Sequence, residues 1–269
     1  MLPTRTCSSL TDPAPMQALT LPAGRGLRWL VEGFSIFQHR PALLSFLVLG
    51  YWLSMAVVSA IPYVGQMISF ILIPAFSVSL MNACRLIATD EEIPPQVLFS
   101  GFHRNLQTLF TLGAVYVVVT LVILGLAALF DGGLLFRMLV LGAIPDSEAL
   151  TDSSLFIAAQ LTICLLIPVM MAFWFAPVLV AWHDMSAGKS LFFSLIACAR
   201  NWRPFLMYSL AVGILGIFVP RMANALLGGI GPIFPSLVAV AFSLILLPSL
   251  YASFYVSYRD VFVSLRDEA

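Results

Sequence analysis

The sequence predicts an all-α polytopic membrane protein, with six transmembrane helices arranged as three hairpins, each preceded by an interfacial amphipathic helix. Three observations carry that prediction. The 269 residues are 61% hydrophobic and only 10% charged, with a mean hydropathy of +1.00. A soluble domain carries about 25% charged residues, so this chain has too little polar surface to cover a water-exposed body. Six runs also reach the roughly 20 apolar residues that a bilayer crossing requires, namely 43–61, 66–84, 107–130, 155–181, 205–227 and 233–256, and Arg221 is the one charged residue inside any of them. Finally, eleven of the 13 Lys and Arg residues fall on one side of those spans. By the positive-inside rule that side is cytoplasmic and holds both termini.

Residues 1–22 read as a polar N-terminal tail. Pro3, Asp12, Pro13 and Pro15 interrupt it and no apolar core of signal-peptide length occurs, so it is not a cleavable secretory signal; Met16 is an alternative start. From Ala23 a segment too charged to span begins. Leu27, Leu30, Val31, Phe34 and Phe37 share one helical face and Arg28, Glu32, Ser35 and His39 the other, the pattern of a helix lying in the headgroup layer. Spans one and two turn at Ile61-Pro62-Tyr63-Val64-Gly65, spans three and four across 131–154 with Ile144-Pro145, and spans five and six at Gly231-Pro232-Ile233-Phe234-Pro235. Short connections make consecutive spans antiparallel neighbours. The connection 131–154 carries Asp131, Asp146, Glu148 and Asp152 against Arg137, as an outer loop should, and its Leu134, Leu135, Met138 and Leu139 suit the outer interface.

The chain repeats itself. Ala23-Gly24-Arg25 returns as Ala187-Gly188-Lys189, Arg40-Pro41 as Arg203-Pro204, and His39-Arg40 as His103-Arg104. Pro74, Ala75, Ser79, Ala83 and Arg85 match Pro248, Ser249, Ser253, Ser257 and Arg259 at a constant offset of 174 residues. Ala75, Ser79, Ala83 and Ser249, Ser253, Ser257 thus form two ridges of small residues at four-residue spacing, against which another helix can pack closely. The domain organisation is a single membrane domain, 23–259, with quasi-repeats 23–85, 93–181 and 187–259, and a short cytoplasmic tail, 260–269. Pro74, Pro177 and Pro248 predict kinks in spans two, four and six.

The search for chemistry is mostly negative. GxSxG, HExxH, P-loop and GxGxxG patterns are absent. His39, His103 and His183 lack a ligand partner at helical spacing, so metal chemistry is not expected. Cys7, Cys84, Cys164 and Cys198 form no CxxC pair and read as reduced thiols. Serines within the spans suit helix packing, and Asn82, Gln160 and Asn224 suit helix-to-helix bonding. Thirteen acidic residues balance the 13 basic ones, so nothing attracts nucleic acid. The local signal is the basic residue recurring at the inner boundary: Arg25, Arg40, Arg104, Lys189 and Arg203. Besides anchoring topology, these are candidate contacts for anionic lipid or an acidic partner.

The stem Pro22-Ala23-Gly24-Arg25-Gly26 with Trp29, Gly33, Phe37 and Pro41, followed by Ile61-Pro62, Gly65, Pro74 and Cys84-Arg85, resembles an uncharacterised family of bacterial multi-pass inner-membrane proteins. More loosely, the pattern of interfacial helix plus hairpin is similar to the membrane domain of bacterial glycerophosphodiester phosphodiesterases, without room here for their catalytic barrel. The resemblance implies a bacterial inner-membrane location and no catalytic residue. The functional expectation is a non-enzymatic, cofactor-free protein that binds or organises membrane lipids, a membrane-protein partner or further copies of itself through its inner-side helices. The alternative is a transporter or channel component for an apolar or amphiphilic cargo.

Overall fold

In the computed structural model, which describes residues 18–62, 64–145, 152–231 and 233–262, no strand occurs among the described residues. The helices run α1 (Arg25–His39), α2 (Pro41–Ser59), α3 (Gly65–Ala88), a 3-10 helix (Pro95–Phe102), α4 (Leu106–Asp131), α5 (Leu134–Leu141), α6 (Ser153–Trp174), α7 (Ala176–His183), α8 (Ala187–Arg200), α9 (Trp202–Leu227) and α10 (Ile233–Phe262). Local chemistry sets many of these boundaries. Pro41 opens α2, its fixed φ and missing N–H suiting the first turn. The Asp152 carboxylate caps α6 by accepting from the Ser154 N–H at 3.0 Å. Asp131 accepts from the Gly133 and Leu135 N–H groups at 2.8 and 2.7 Å, which starts α5 in the 131–154 connection. Taking α6 and α7 as one nearly continuous run, six helices are long and apolar enough to cross a membrane.

The prolines divide the second span of each pair. Pro74 and Pro248 sit inside uninterrupted helices α3 and α10, whereas near Pro177 the helix breaks at Phe175 and restarts as α7. A side chain from another helix closes that break. Ser194 Oγ of α8 donates to the Met171 carbonyl at 2.8 Å and accepts from the Phe175 N–H at 2.9 Å, bridging the pair that a continuous helix would join directly. Pro248 cannot bond the Leu244 carbonyl four residues back, and Ser45 Oγ of α2 donates to it at 3.0 Å.

Each of these helices is more deeply buried from its proline onward than before it. From Pro248 to Phe262 nearly every residue of α10 is buried or half-buried, Arg259 excepted; from Ile233 to Leu247 only Pro235 is buried. The α3 helix changes in the same way at Pro74, and the middle run becomes fully buried from Phe175 to Ala181. The buried stretches of α3, α7 and α10 meet at one end of the molecule, where Phe175 stacks among Phe205, Phe254, Tyr258 and Phe262. We call this the basic end.

The segments that precede the span pairs hold it together in a cycle. The 3-10 helix packs on α3, α8 packs on α6 and α7, and α1 packs on α10. Each segment therefore grips the second span of the preceding pair, and the first segment of the chain closes the ring on the last helix. Two details differ from the sequence reading. The middle segment is a single 3-10 helix rather than an amphipathic α-helix. In α1 the buried face comprises Gly26, Trp29, Gly33, Ile36 and Phe37, leaving Leu27, Val31 and Phe34 exposed. Hydrophobic periodicity missed this face because two of its members are glycines, chosen for close approach rather than for apolarity.

Candidate functional site

The ring closes through a polar network. Trp29, fully buried, donates from Nε1 to Asp260 at 2.9 Å, and Arg25 pairs with the same carboxylate through Nε. Glu32 bridges Arg25 at 2.9 Å and Arg259 at 2.7 Å. The hydrogen bond to Asp260 holds the Arg25 guanidinium charged, its pKa raised above the ordinary arginine value. Asp260 was assigned to the tail from sequence; α10 continues through it, because Trp29 and Arg25 supply the partners that let a carboxylate be 9% exposed. Beneath this network the backbones touch. A Cβ on Gly33 would fall 2.5 Å from the Ser253 nitrogen, and one on Gly101 only 2.0 Å from the Ala75 carbonyl oxygen.

All six residues of the two small-residue ridges are buried. Gly33 of α1 lies on Ser253, whose hydroxyl also meets the Tyr208 hydroxyl at 2.7 Å. Gly101 of the 3-10 helix lies on Ala75 and donates its N–H to Ser79 Oγ at 2.9 Å.

The five recurring basic residues divide into two groups. Arg25 is consumed by the closure network. Arg40 lies 3.6 Å from Asp90, and Arg104 lies 3.7 Å from Asp184, which also accepts from Asn105 Nδ2 at 2.6 Å. Lys189 and Arg203 have no carboxylate within 4.0 Å among the described residues; Lys189 Nζ lies over Phe193, and Arg203 lies over Trp202. Arg28 and Arg200, exposed like these two, are likewise without an acidic neighbour among the described residues. These four cations lie on α8, the start of α9 and α1, near where Asn201 holds the Leu19 carbonyl and the Leu21 N–H.

A further arginine stands at the centre of the basic end. Arg85, near the C-terminus of α3, is exposed and lies 5.4 Å from the Trp182 ring centre. Trp182 is locked by its Nε1 donation to Asn82 Oδ1 at 2.8 Å, and Asn82 in turn donates to Ser100 at 2.9 Å. Tyr258 packs edge-on to Trp182 and its hydroxyl meets His183 Nε2. The sequence search for sites passed over Arg85, although its match to Arg259 in the repeat marked the position. Among the described residues His39 and His103 bond to the carbonyls of Ser35 and Phe99 alone. Among the described residues no three His, Cys, Asp or Glu side chains lie together as a metal site would require.

Six span-length apolar helices gathered on one polar, clasped end define a polytopic α-helical membrane protein. The chain is 36% identical over 254 residues to the probable inner membrane protein BTH_II0599 of Burkholderia thailandensis, with 92% of this chain and 94% of that protein covered, and it belongs to that protein's family. No protein-family model and no solved structure matches it. The looser likeness to the phosphodiesterase membrane domain gains no support from these comparisons.

Proposed function

We propose that this is a non-enzymatic inner-membrane protein, with both termini in the cytoplasm, that binds or organises anionic lipids or partner proteins through its basic end. The observation that carries this reading is the group Arg28, Lys189, Arg200 and Arg203, exposed and without carboxylate partners among the described residues. Phe192, 62% exposed, and Trp202, 55% exposed, lie beside them. Cations that are not neutralised within the protein attract an anionic leaflet, at about 1 kcal/mol each near the surface, and exposed aromatic rings anchor at the headgroup level. The exposed stripe Leu27, Val31 and Phe34 gives α1 an apolar face for the same layer.

The test is native mass spectrometry after gentle transfer into lipid nanodiscs. Replacing Arg28, Arg200 and Arg203 with Gln should lower the co-purifying anionic lipid several-fold, whereas Arg40→Gln with Arg104→Gln should lower it less. Equal lipid retention in all three proteins would defeat the reading. A stoichiometric polypeptide in the spectrum would direct it toward a protein partner. A second reading, a transporter or channel component for an apolar or amphiphilic cargo, draws on the groove of about 450 Å³ between α2 and α10, lined by Val48, Trp52, Leu244 and Pro248 among others.

A further inference from the structure

The Arg85 guanidinium has neither a carboxylate within 4.0 Å nor a hydrogen-bond acceptor among the described residues, so its five N–H donors are uncommitted. It is nonetheless placed. Trp182 supports it from α7, and Trp182 is itself fixed through Asn82 and Ser100. From α10, Tyr258 packs edge-on to the same Trp182 ring with centres 5.0 Å apart, and Tyr255 lies against it too. Tyr255 packs against Trp182 with ring centres 6.5 Å apart, and its hydroxyl has no hydrogen-bond partner among the described residues. Tyr258 is positioned by His183. A planar cation with a free donor fork and a tyrosine without a hydrogen-bond partner among the described residues, both set against one fixed aromatic wall, make a setting for an oxyanion. Phosphate suits it best, because guanidinium binds phosphate oxygens in bidentate fashion and tyrosine supplies a neutral donor. Arg85, Trp182 and Tyr255 come from three separate helices, α3, α7 and α10.

We infer that Arg85, with Tyr255 and Tyr258, forms a binding site for a terminal phosphate group at the centre of the basic end. This goes beyond the proposed lipid-binding function, which rests on a different set of cations. The phosphate can belong to a lipid headgroup or to a soluble phosphate, and the experiment separates them. Full-length protein in phosphatidylcholine nanodiscs is titrated with dioctanoyl phosphatidic acid and, separately, with inorganic phosphate, and binding is followed by ³¹P NMR and native mass spectrometry. Arg85→Gln should weaken binding at least tenfold, Tyr255→Phe about threefold, and Arg85→Lys should restore part of the loss. Retention of phosphatidic acid that inorganic phosphate does not displace assigns the site to a lipid headgroup; displacement, or binding of inorganic phosphate alone, assigns it to a soluble phosphate.

Unchanged binding in both Arg85→Gln and Tyr255→Phe overturns the inference, as does wild-type protein that takes up neither probe. Tyr255→Phe keeps the ring in place, so it remains informative should Arg85→Gln misfold. The Arg28, Arg200 and Arg203 triple variant keeps this site intact. Bulk anionic lipid retained by that variant, with phosphate binding still lost in Arg85→Gln, defeats the proposed function alone; bulk lipid lost there, with phosphate binding unchanged in Arg85→Gln and Tyr255→Phe, defeats this inference alone.

Discussion

The two halves of α10 differ sharply in burial. Below Pro248 the helix is sealed by α1, α9 and α3, carries Ser249, Ser253 and Ser257 on one ridge, and ends in the Asp260 network. Above it, Leu237, Val240, Leu244 and Ile245 are exposed. In water the upper half would be an aggregation surface. In a bilayer it meets lipid tails as apolar as itself, so burying it gains little and packing there need not be tight. Specification therefore concentrates at the end where backbones touch, hydroxyls bond across helices and charges pair. The α9 helix extends the contrast: it packs on α1 at Tyr208 and then runs outward with almost no buried residue.

The largest effect expected from this comparison is steric. Gly33→Leu or Gly101→Leu, placed where even a Cβ collides with backbone, should cost about 3 kcal/mol or more and separate the clasp from its helix. Gly213→Leu and Gly216→Leu, which have nothing within 4 Å, should stay within about 0.5 kcal/mol of wild type. Reversible unfolding in mixed micelles measures both, and equal losses would erase the distinction between the two ends.

Comparable in size is Trp29→Ala, which empties a fully buried site and leaves Asp260 without its indole donor. A loss of about 3–5 kcal/mol is expected, against about 0.5 or less for Leu237→Ala, whose side chain is 61% exposed. Ser194→Ala should cost about 1–3 kcal/mol by orphaning the Phe175 N–H at the helix break. Ser45→Ala, at the edge of the lipid-facing groove, should cost about 0.6 kcal/mol.

The smallest readout is chemical. Burial pushes the Cys198 thiol up to about 12, so raising the pH from 7 to 9 leaves it protonated and inert in the folded protein. Maleimide should label Cys198 only after unfolding, and reaction in the native state would show that α8 detaches from the basic end.

Particular residues show how far sequence reading reached. The spans were legible because bilayer thickness fixes a length and lipid excludes charge. The 174-residue offset from Pro74 to Pro248 marked the points where burial changes. What misled was α1: its apolar stripe of Leu27, Val31 and Phe34 is exposed, while the buried face turns on Gly33. Glycines that permit contact carry no hydropathy signal, and their partners lie far off in sequence. The recurrence of Arg25, Arg40, Arg104, Lys189 and Arg203 was visible, but which of them were neutralised depended on Asp260, Asp90 and Asp184 arriving from other segments. Arg85 was passed over because Trp182 and Tyr255 lie about 100 and 170 residues away from it.

The amino-acid sequence by itself determined that the chain is helical and that it holds six span-length apolar helices. These properties are local sums of apolar length and backbone satisfaction, which lipid enforces on each span separately. The tertiary structure alone decided that each leading segment grips the preceding pair, that α1 closes the ring on α10, and that Arg85 is left without a carboxylate or hydrogen-bond partner among the described residues where α3 and α7 meet. Those outcomes depend on contacts between residues distant in sequence, which steric fit and charge pairing select only once the helices are assembled.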